Sequence, residues 1–443
     1  MLQVQKNAPL AHRISIAKSL IPVAAAAFLA TISTPVAAYV IFPGVPASSV
    51  RTVNVSTPAQ LSAAIAAATG PTDILLAGGN YGEVSIKGIN KPFDIVVRSA
   101  SLTNRAVIAE LVVYNTSRFR FEALDFSHTL KAGEGLTTPG VFTSLTDRIA
   151  FTSCNFHGTK DGNANNDGMM LYLTKSTKSF VFNNDFRQSR MSLGAMAITN
   201  LFILRNNFTE TREGINLDGV TYGYLERNFF TKVAPNLAAG DHADAIQVYV
   251  GSSGLTTNGL NILANAMILN SAQAQGILIQ RGNPRIPYNH SAIVIRENIY
   301  YGGMRQGIWV EDSNSLLIER NTLIGATDFS FQPAVYIKNV VSSTVKWNIA
   351  HFFLYVAPVV PIASNNIDLA DAVYPTGPSA QSQFVGTVSG VDPAVTNFRV
   401  LPGSAAAVAG AGAFVYGDIG RVAGTTAAVE AKFQTEWARL LAR

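Results

Sequence analysis

The stretch Gly240-Asp241-His242-Ala243-Asp244-Ala245-Ile246-Gln247 holds the densest set of reactive side chains in the sequence. Two carboxylates flank an imidazole, at −1 and +2. A carboxylate beside an imidazole orients the ring and raises its basicity, giving a general base or acid near neutral pH. There are six histidines. His12 falls in an apolar leader, and His290 and His351 read as loop residues. His128 and His157 share the position that follows a recurring asparagine ladder. Only His242 has acids on both sides. Asp244 also has a structural reading, since Asp167, Glu213, Gln275 and Gln306 likewise precede a small residue and could bond turn amides. His242 has the reading of an ordinary surface histidine.

The residues around this stretch recur in a pattern. Gly168, Gly194, Gly214, Ala245, Gly276, Gly307 and Ala334 each begin a segment with apolar residues mostly at +1 and +3. In a strand those side chains point one way, and the +2 and +4 residues point the other. The +2 residues are Met170, Met196, Asn216, Gln247, Leu278, Trp309 and Tyr336. The +4 residues are Tyr172, Ile198, Asp218, Tyr249, Gln280, Glu311 and Lys338, with Arg281 and Asp312 just beyond. The outward face is thus apolar first and turns polar, aromatic and charged from Asn216 onward. Such a face suits sugars: rings stack on sugar faces, while amides and carboxylates take hydroxyls. Asn216, Asp218, Gln247, Gln280, Arg305, Trp309, Glu311 and Tyr336 are the candidate substrate-binding residues. His242, Asp241, Asp244, Arg281 and Tyr249 are the candidate catalytic ones. The other reading is a plain solvated sheet face. The insertions Gly251–Gly259 and Gly282–His290 would wall the groove, the second offering Arg281, Arg285 and Tyr288 as a clamp.

What positions these residues is a repeat. Asn184, Asn207, Asn228, Asn265, Asn298, Asn321 and Asn348 follow the segments in turn, and Asn155 fits one unit earlier, about 28 residues apart on average. That period signals stacked supersecondary units. Asn suits a left-handed turn, and stacked amides can bond one another in a ladder. Strands at this period predict one all-β solenoid, a right-handed single-stranded parallel β-helix. At the N-terminal end, Thr52–Ser56 reads as a strand and Thr57–Ile65 as a helix capped by Thr57 with Pro58 in its first turn. Leu61, Ala64, Ile65, Ala68, Asp73, Ile74, Leu76, Gly79 and Tyr81 resemble the N-terminal cap of right-handed parallel β-helix proteins. An open-ended solenoid needs such a cap to cover its first coil. Asp392–Ser404, with Phe398, Leu401, Pro402, Gly403 and Ser404, leads to Gly417-Asp418-Ile419-Gly420. This resembles the closing segment of secreted β-helix carbohydrate-active proteins, with Ala405 where those carry a second proline. A short helix over 425–441 ends the chain, capping the solenoid or lying on its flank.

The predicted organisation is a signal peptide (1–38), a strand-and-helix cap (39–70), the β-helix (71–390) and a closing segment with helix (391–443). Lys6, Arg13 and Lys18, then the apolar run Leu20–Ile32, then Val36-Ala37-Ala38 read as a secretory signal or an uncleaved anchor. The protein is therefore expected to be secreted or periplasmic. The formal charge of +5 falls to +2 without those three cations. No basic stripe remains for nucleic acid. No later run is long and apolar enough for a membrane helix. One cysteine, Cys154, excludes an intrachain disulfide and a Cys-based zinc site. The oligomeric state is not legible.

The resemblance implies a polysaccharide partner and three chemistries. The first is β-elimination, or C5-epimerisation, on a uronic-acid polymer: His242 as base, Tyr249 as acid or relay, and Arg281 or Arg305 neutralising the carboxylate. Asp241–Asp244 resembles the Asp-Pro-His-Asp stretch of alginate C5-epimerases, with the histidine one place out of register. The chondroitinase/alginate lyase family sets an Asn against a Glu-x-Glu pair for calcium. Here Asn216 is followed by Gln247 and Tyr249, with no lysine next, so no cofactor is demanded and calcium is the only one the resemblance admits. The second chemistry is glycoside hydrolysis by two of Asp218, Asp241, Asp244 and Glu311. Asn166-Asp167-Gly168 resembles the start of polygalacturonase sites, whose other elements are missing. The third reading is a non-catalytic sugar-binding surface protein.

Overall fold

The computed structural model describes residues 47–441, except 234, 238–241, 271, 282–288, 327–331, 357–359, 371–375 and 416. The predicted leader lies outside the described residues. The chain winds into a right-handed parallel β-helix, as the repeat predicts. Each full coil contributes a strand to three parallel sheets. The coil after Asn207 shows the path. Residues 215–218 pair with 246–249 on the first sheet, 221–226 with 258–263 on the second, and 229–231 with 266–268 on the third. No described helix is long and apolar enough to cross a membrane.

Alternation builds the core. On the first sheet Ile215, Leu217, Ile246, Val248, Ile277, Ile279, Ile308, Val310, Val335 and Ile337 point inward and are essentially inaccessible. On the third sheet Phe126, Phe156, Phe186, Phe208 and Phe230 form a continuous stack, with centroids 4.8, 4.6, 4.9 and 4.6 Å apart. Stacked coils place like on like, so flat rings repeat well at the sheet spacing of about 4.8 Å.

The ladder forms, with three corrections. Its members are Asn184, Asn206, Asn228, Asn265, Asn298, Asn321, Asn348 and Asn366, each amide donating to the next oxygen at 2.9–3.0 Å. Asn206, not Asn207, is the member in its coil. Asn155 is a strand residue, and Cys154 holds the ladder position, its N–H donating to Asn184 Oδ1 at 2.8 Å. Burial pushes the Cys154 thiol up to about 12. The ladder also runs one step beyond Asn348. The left-handed residue is the one before each asparagine: Ser153, Asn183, Arg205, Arg227, Ala264, Glu297, Arg320, Trp347 and Asn365 all have φ between 52° and 60°. Side chains there strain the backbone, and the buried amides that close each turn offset it.

The helix α1 (Pro58–Ala66) caps the first coil with Leu61 and Ile65 buried. Gln60 N–H donates to Thr57 Oγ1, and Ser56 N–H donates to Gln60 Oε1, a reciprocal cap. At the other end α2 (Ala405–Ala409) follows the Ser404 cap, and α3 (Thr426–Leu441) lies on the flank, not over the end. The tail between them runs back along the turns. Gly412 N–H donates to Trp347 O, Gly420 N–H to Arg227 O and Val422 N–H to Asn183 Oδ1. Asp418 takes both terminal nitrogens of buried Arg205 at 2.6 Å. Phe433, Trp437 and Leu440 of α3 then cover Phe180, Phe182, Phe202 and Leu204 on the second sheet's outer face.

Candidate functional site

The outer face of the first sheet is the candidate groove. The register confirms the polar columns from Asn216 onward and corrects the earlier coils. Asn216, Gln247, Leu278, Trp309 and Tyr336 stand in line, but the residues before them are Tyr172 and Gly194, not Met170 and Met196. Likewise Thr174 and Met196, not Tyr172 and Ile198, precede Asp218 and Tyr249. Gly168 lies before its strand and Gly194 in mid-strand, so a small residue does not mark a fixed register.

At the entry edge, His242 precedes the strand Ala243–Tyr249. Its Nδ1 lies 3.1 Å from Asp244 Oδ2. An ionised carboxylate only accepts, so Nδ1 carries the proton and Nε2 is the basic nitrogen. The imidazole side chain is 53% exposed and the Asp244 side chain 1% exposed. Asp244 pairs in register with Gln275, and the pairing of Ile215 with Ile246 puts Glu213 at the same place one coil earlier. Glu213 accepts from Asn216 Nδ2 at 2.6 Å and sits 3.4 Å from Arg212, which is buried. Arg212 was not singled out in the sequence; its signal is its place one coil before Ala243. Asp167, grouped with this column by sequence, lies instead in the loop before Met169. Asp241 lies outside the described residues.

Asp218, Tyr249, Gln280, Arg281 and Glu311 gather at the exit edge. Asp218 is committed to the 251–255 loop: it accepts from Gly251 N at 3.1 Å, from Ser253 N at 3.0 Å and from the Ser253 hydroxyl. Burial, then the negative charges of Asp218 and others, push the Tyr249 hydroxyl up to about 12. Arg281 Nε stands 3.6 Å from Asp312. Behind them His290 is not a loop residue but opens a strand and is fully buried. Thr257 N–H donates to its Nδ1 at 3.0 Å, so Nε2–H donates to Gln280 O at 3.1 Å. Burial holds its pKa below the usual histidine range. Arg285 and Tyr288 lie outside the described residues.

Two expectations therefore change. From Asp244 to Tyr249 the strand advances about 16 Å at about 3.3 Å per residue. The structure does not bring His242 to Tyr249 or Arg281, so they cannot serve one sugar together. Arg305 does share the entry edge, because Gln306 continues the register of Asp244 and Gln275. It is exposed, about 10 Å further along at two coil spacings. Second, Trp309 and Tyr336 stack on each other, centroids 3.7 Å apart and 25° between planes. Their faces point along the axis, towards neighbouring coils, so they offer edges and polar atoms to the groove rather than flat platforms. Trp309 Nε1 donates to Glu311 Oε1 at 2.8 Å, and Glu311 also faces Lys338 at 3.3 Å. Among the described residues no three His, Cys, Asp or Glu side chains converge for a metal.

No protein-family model matches the chain. No curated protein matches it in sequence. Among solved structures, the alginate lyase of Paenibacillus sp. str. FPU-7 is similar at 16% identity, covering 71% of this chain and 99% of that one, TM-score 0.38. The surface adhesin PfbA of Streptococcus pneumoniae is similar at 11% identity, covering 70% and 73%, TM-score 0.41. Pectate lyase Pel9A is similar at 15% identity, covering 80% and 90%, TM-score 0.34. The fold assignment rests on the strand registers, not on these likenesses.

Proposed function

We propose that the protein is a carbohydrate-active enzyme that abstracts the C5 proton of a uronic-acid residue, leading to β-elimination of the polysaccharide or to C5-epimerisation. The observation that carries this is the His242–Asp244 pair: an exposed ring on the groove, oriented by a buried carboxylate at 3.1 Å. Nε2 takes the proton. The same imidazole, then charged and steadied by Asp244, gives that proton to the leaving oxygen in elimination; in epimerisation a water gives its own proton to the other face of C5 and the imidazolium proton neutralises the hydroxide left behind. Arg305, rather than Arg281, is the cation that meets the substrate carboxylate, since it shares the edge of His242. Asn216, Gln247 and Gln280 line the face that the polymer crosses. Hydrolysis is the weaker reading, because Asp218 is held by its loop, Glu311 by Trp309 and Lys338, and Asp244 by His242.

The test is incubation with polyuronates, following ultraviolet absorbance of unsaturated ends and the C5 configuration of the polymer. Wild type should give one of these signals. His242→Ala should lose about 10²–10⁴-fold in rate, and Arg305→Ala should raise KM on uronates. Reducing ends without either signal would mean hydrolysis. Binding without turnover would mean a sugar-binding surface protein.

A further inference from the structure

A second polar cluster lies on the earlier coils, away from His242. The loop between Asn155–His157 and Met169–Thr174 contains Asp161-Gly162-Asn163-Ala164-Asn165-Asn166-Asp167-Gly168. Oxygen-bearing side chains stand at alternate places: Asp161, Asn163, Asn165 and Asp167. That is the spacing with which a calcium loop presents positions 1, 3, 5 and 7, although Asn166 stands where such loops have glycine. Asp161 Oδ1 accepts from Asn163 N at 2.8 Å, and Asn163 Oδ1 accepts from Asn165 N at 3.1 Å, which curls the loop on itself.

Spacing alone would not make a site. The independent observation is a set of three buried oxygens around this loop without hydrogen-bond partners: Asn165 Oδ1, Asp167 Oδ2 and Gln188 Oε1. Gln188 belongs to the next coil and is 5% exposed. Its amide nitrogen lies 4.0 Å from where a Cβ on Gly162 would stand, so the end of the side chain reaches the loop. Asp167 is 1% exposed, and Thr159 satisfies only its Oδ1, through N–H at 2.8 Å and hydroxyl at 3.0 Å. Buried acceptors left unmet destabilise a fold. A hard divalent cation seated among them would give each an electrostatic partner.

We propose that this loop and Gln188 bind one Ca²⁺, through carboxylate oxygens of Asp161 and Asp167 and amide oxygens of Asn163, Asn165 and Gln188. Two carboxylates and three amides favour calcium over magnesium, which demands tighter octahedral geometry and gives up its waters reluctantly. With so few charges the affinity should fall at the weak end, about 10⁻⁴–10⁻³ M. The ion would tie two successive coils and the entrance to the first sheet.

The test is calorimetric titration of chelator-treated full-length protein with CaCl₂, with melting curves in calcium and in chelator. The expected result is one Ca²⁺ per chain, a raised melting temperature in calcium, and a much smaller effect of MgCl₂. Asp161→Asn and Gln188→Ala should each weaken binding at least about tenfold while melting like wild type in chelator. Asp161 is exposed, so its substitution leaves the core intact. Asn216→Ala should bind calcium normally. The proposal is overturned if calcium gives neither heat nor a melting shift at 10-fold above about 10⁻³ M. It is equally overturned if Asp161→Asn and Gln188→Ala bind as wild type, or if Asn216→Ala is the variant that loses binding.

Discussion

Asn228→Ala tests whether the amide ladder holds the coils together. The Asn228 side chain makes four hydrogen bonds. Its Nδ2 donates to Ile203 O and to Asn265 Oδ1, both at 2.9 Å, and its Oδ1 accepts from Asn206 N and Nδ2, both at 3.0 Å. At about 1 kcal/mol net for each, deletion costs about 4 kcal/mol. Asn206 Nδ2 keeps Val181 O and Leu204 O, so the backbone N–H of Asn206 is the group left most exposed to the loss. Asn366→Ala is the internal control. It ends the ladder, is part-buried and loses three bonds, which water can replace, so it should cost about 1–2 kcal/mol. The assay is denaturant unfolding by circular dichroism, with amide exchange of Asn206 N–H as the local readout, since solenoids open coil by coil. Equal losses for the two variants, or unchanged exchange at Asn206, would refute the idea that the central amides close the turns.

Trp437→Ala should undock α3: Trp437 stacks on Phe180 at 4.1 Å, and a buried tryptophan is worth about 3–5 kcal/mol. Limited proteolysis should then cut the C-terminal tail while the β-sheet spectrum persists; a resistant tail would show that the helix is held elsewhere. Acid should loosen the same tail at Asp418. Its bonds to Arg205 hold its pKa below the usual value of 3.8. The stabilisation is therefore complete above that value and lost as pH falls through the depressed one. Pepsin cleavage near 418 should rise in that window, and Asp418→Asn should remove the pH dependence.

The fold was legible because it is periodic. Inward aliphatics, the amides and the cap each repeat or match a physical need, and the structure returns them with small shifts. The shifts have causes. Asn206 and Asn207 are both asparagine, and only packing decides which faces the column. Cys154 fits the ladder's end because its backbone N–H is all the neighbour needs. The site was less legible. Sequence columns show which residues share a face, but not that Ala243–Tyr249 runs as one unbroken strand, which holds Asp244 and Tyr249 about 16 Å apart. Asp218 looked like a groove acid because the loop it holds comes over thirty residues later. The aromatic pair looked like a sugar platform because composition does not reveal that each ring covers the other.

The returning tail covers surface that the coils alone would leave open. Coils can stack as the chain emerges from the ribosome, each on the last. The outer stripe of Phe180, Phe182, Phe202 and Leu204 stays bare until α3 arrives to cover it. Arg205 meanwhile has its carboxylate partner 213 positions downstream. Without Asp418 and α3, the solenoid would carry a greasy, positively charged stripe. Such a stripe is what chaperones and proteases recognise, so docking of α3 removes a sticky surface from solvent.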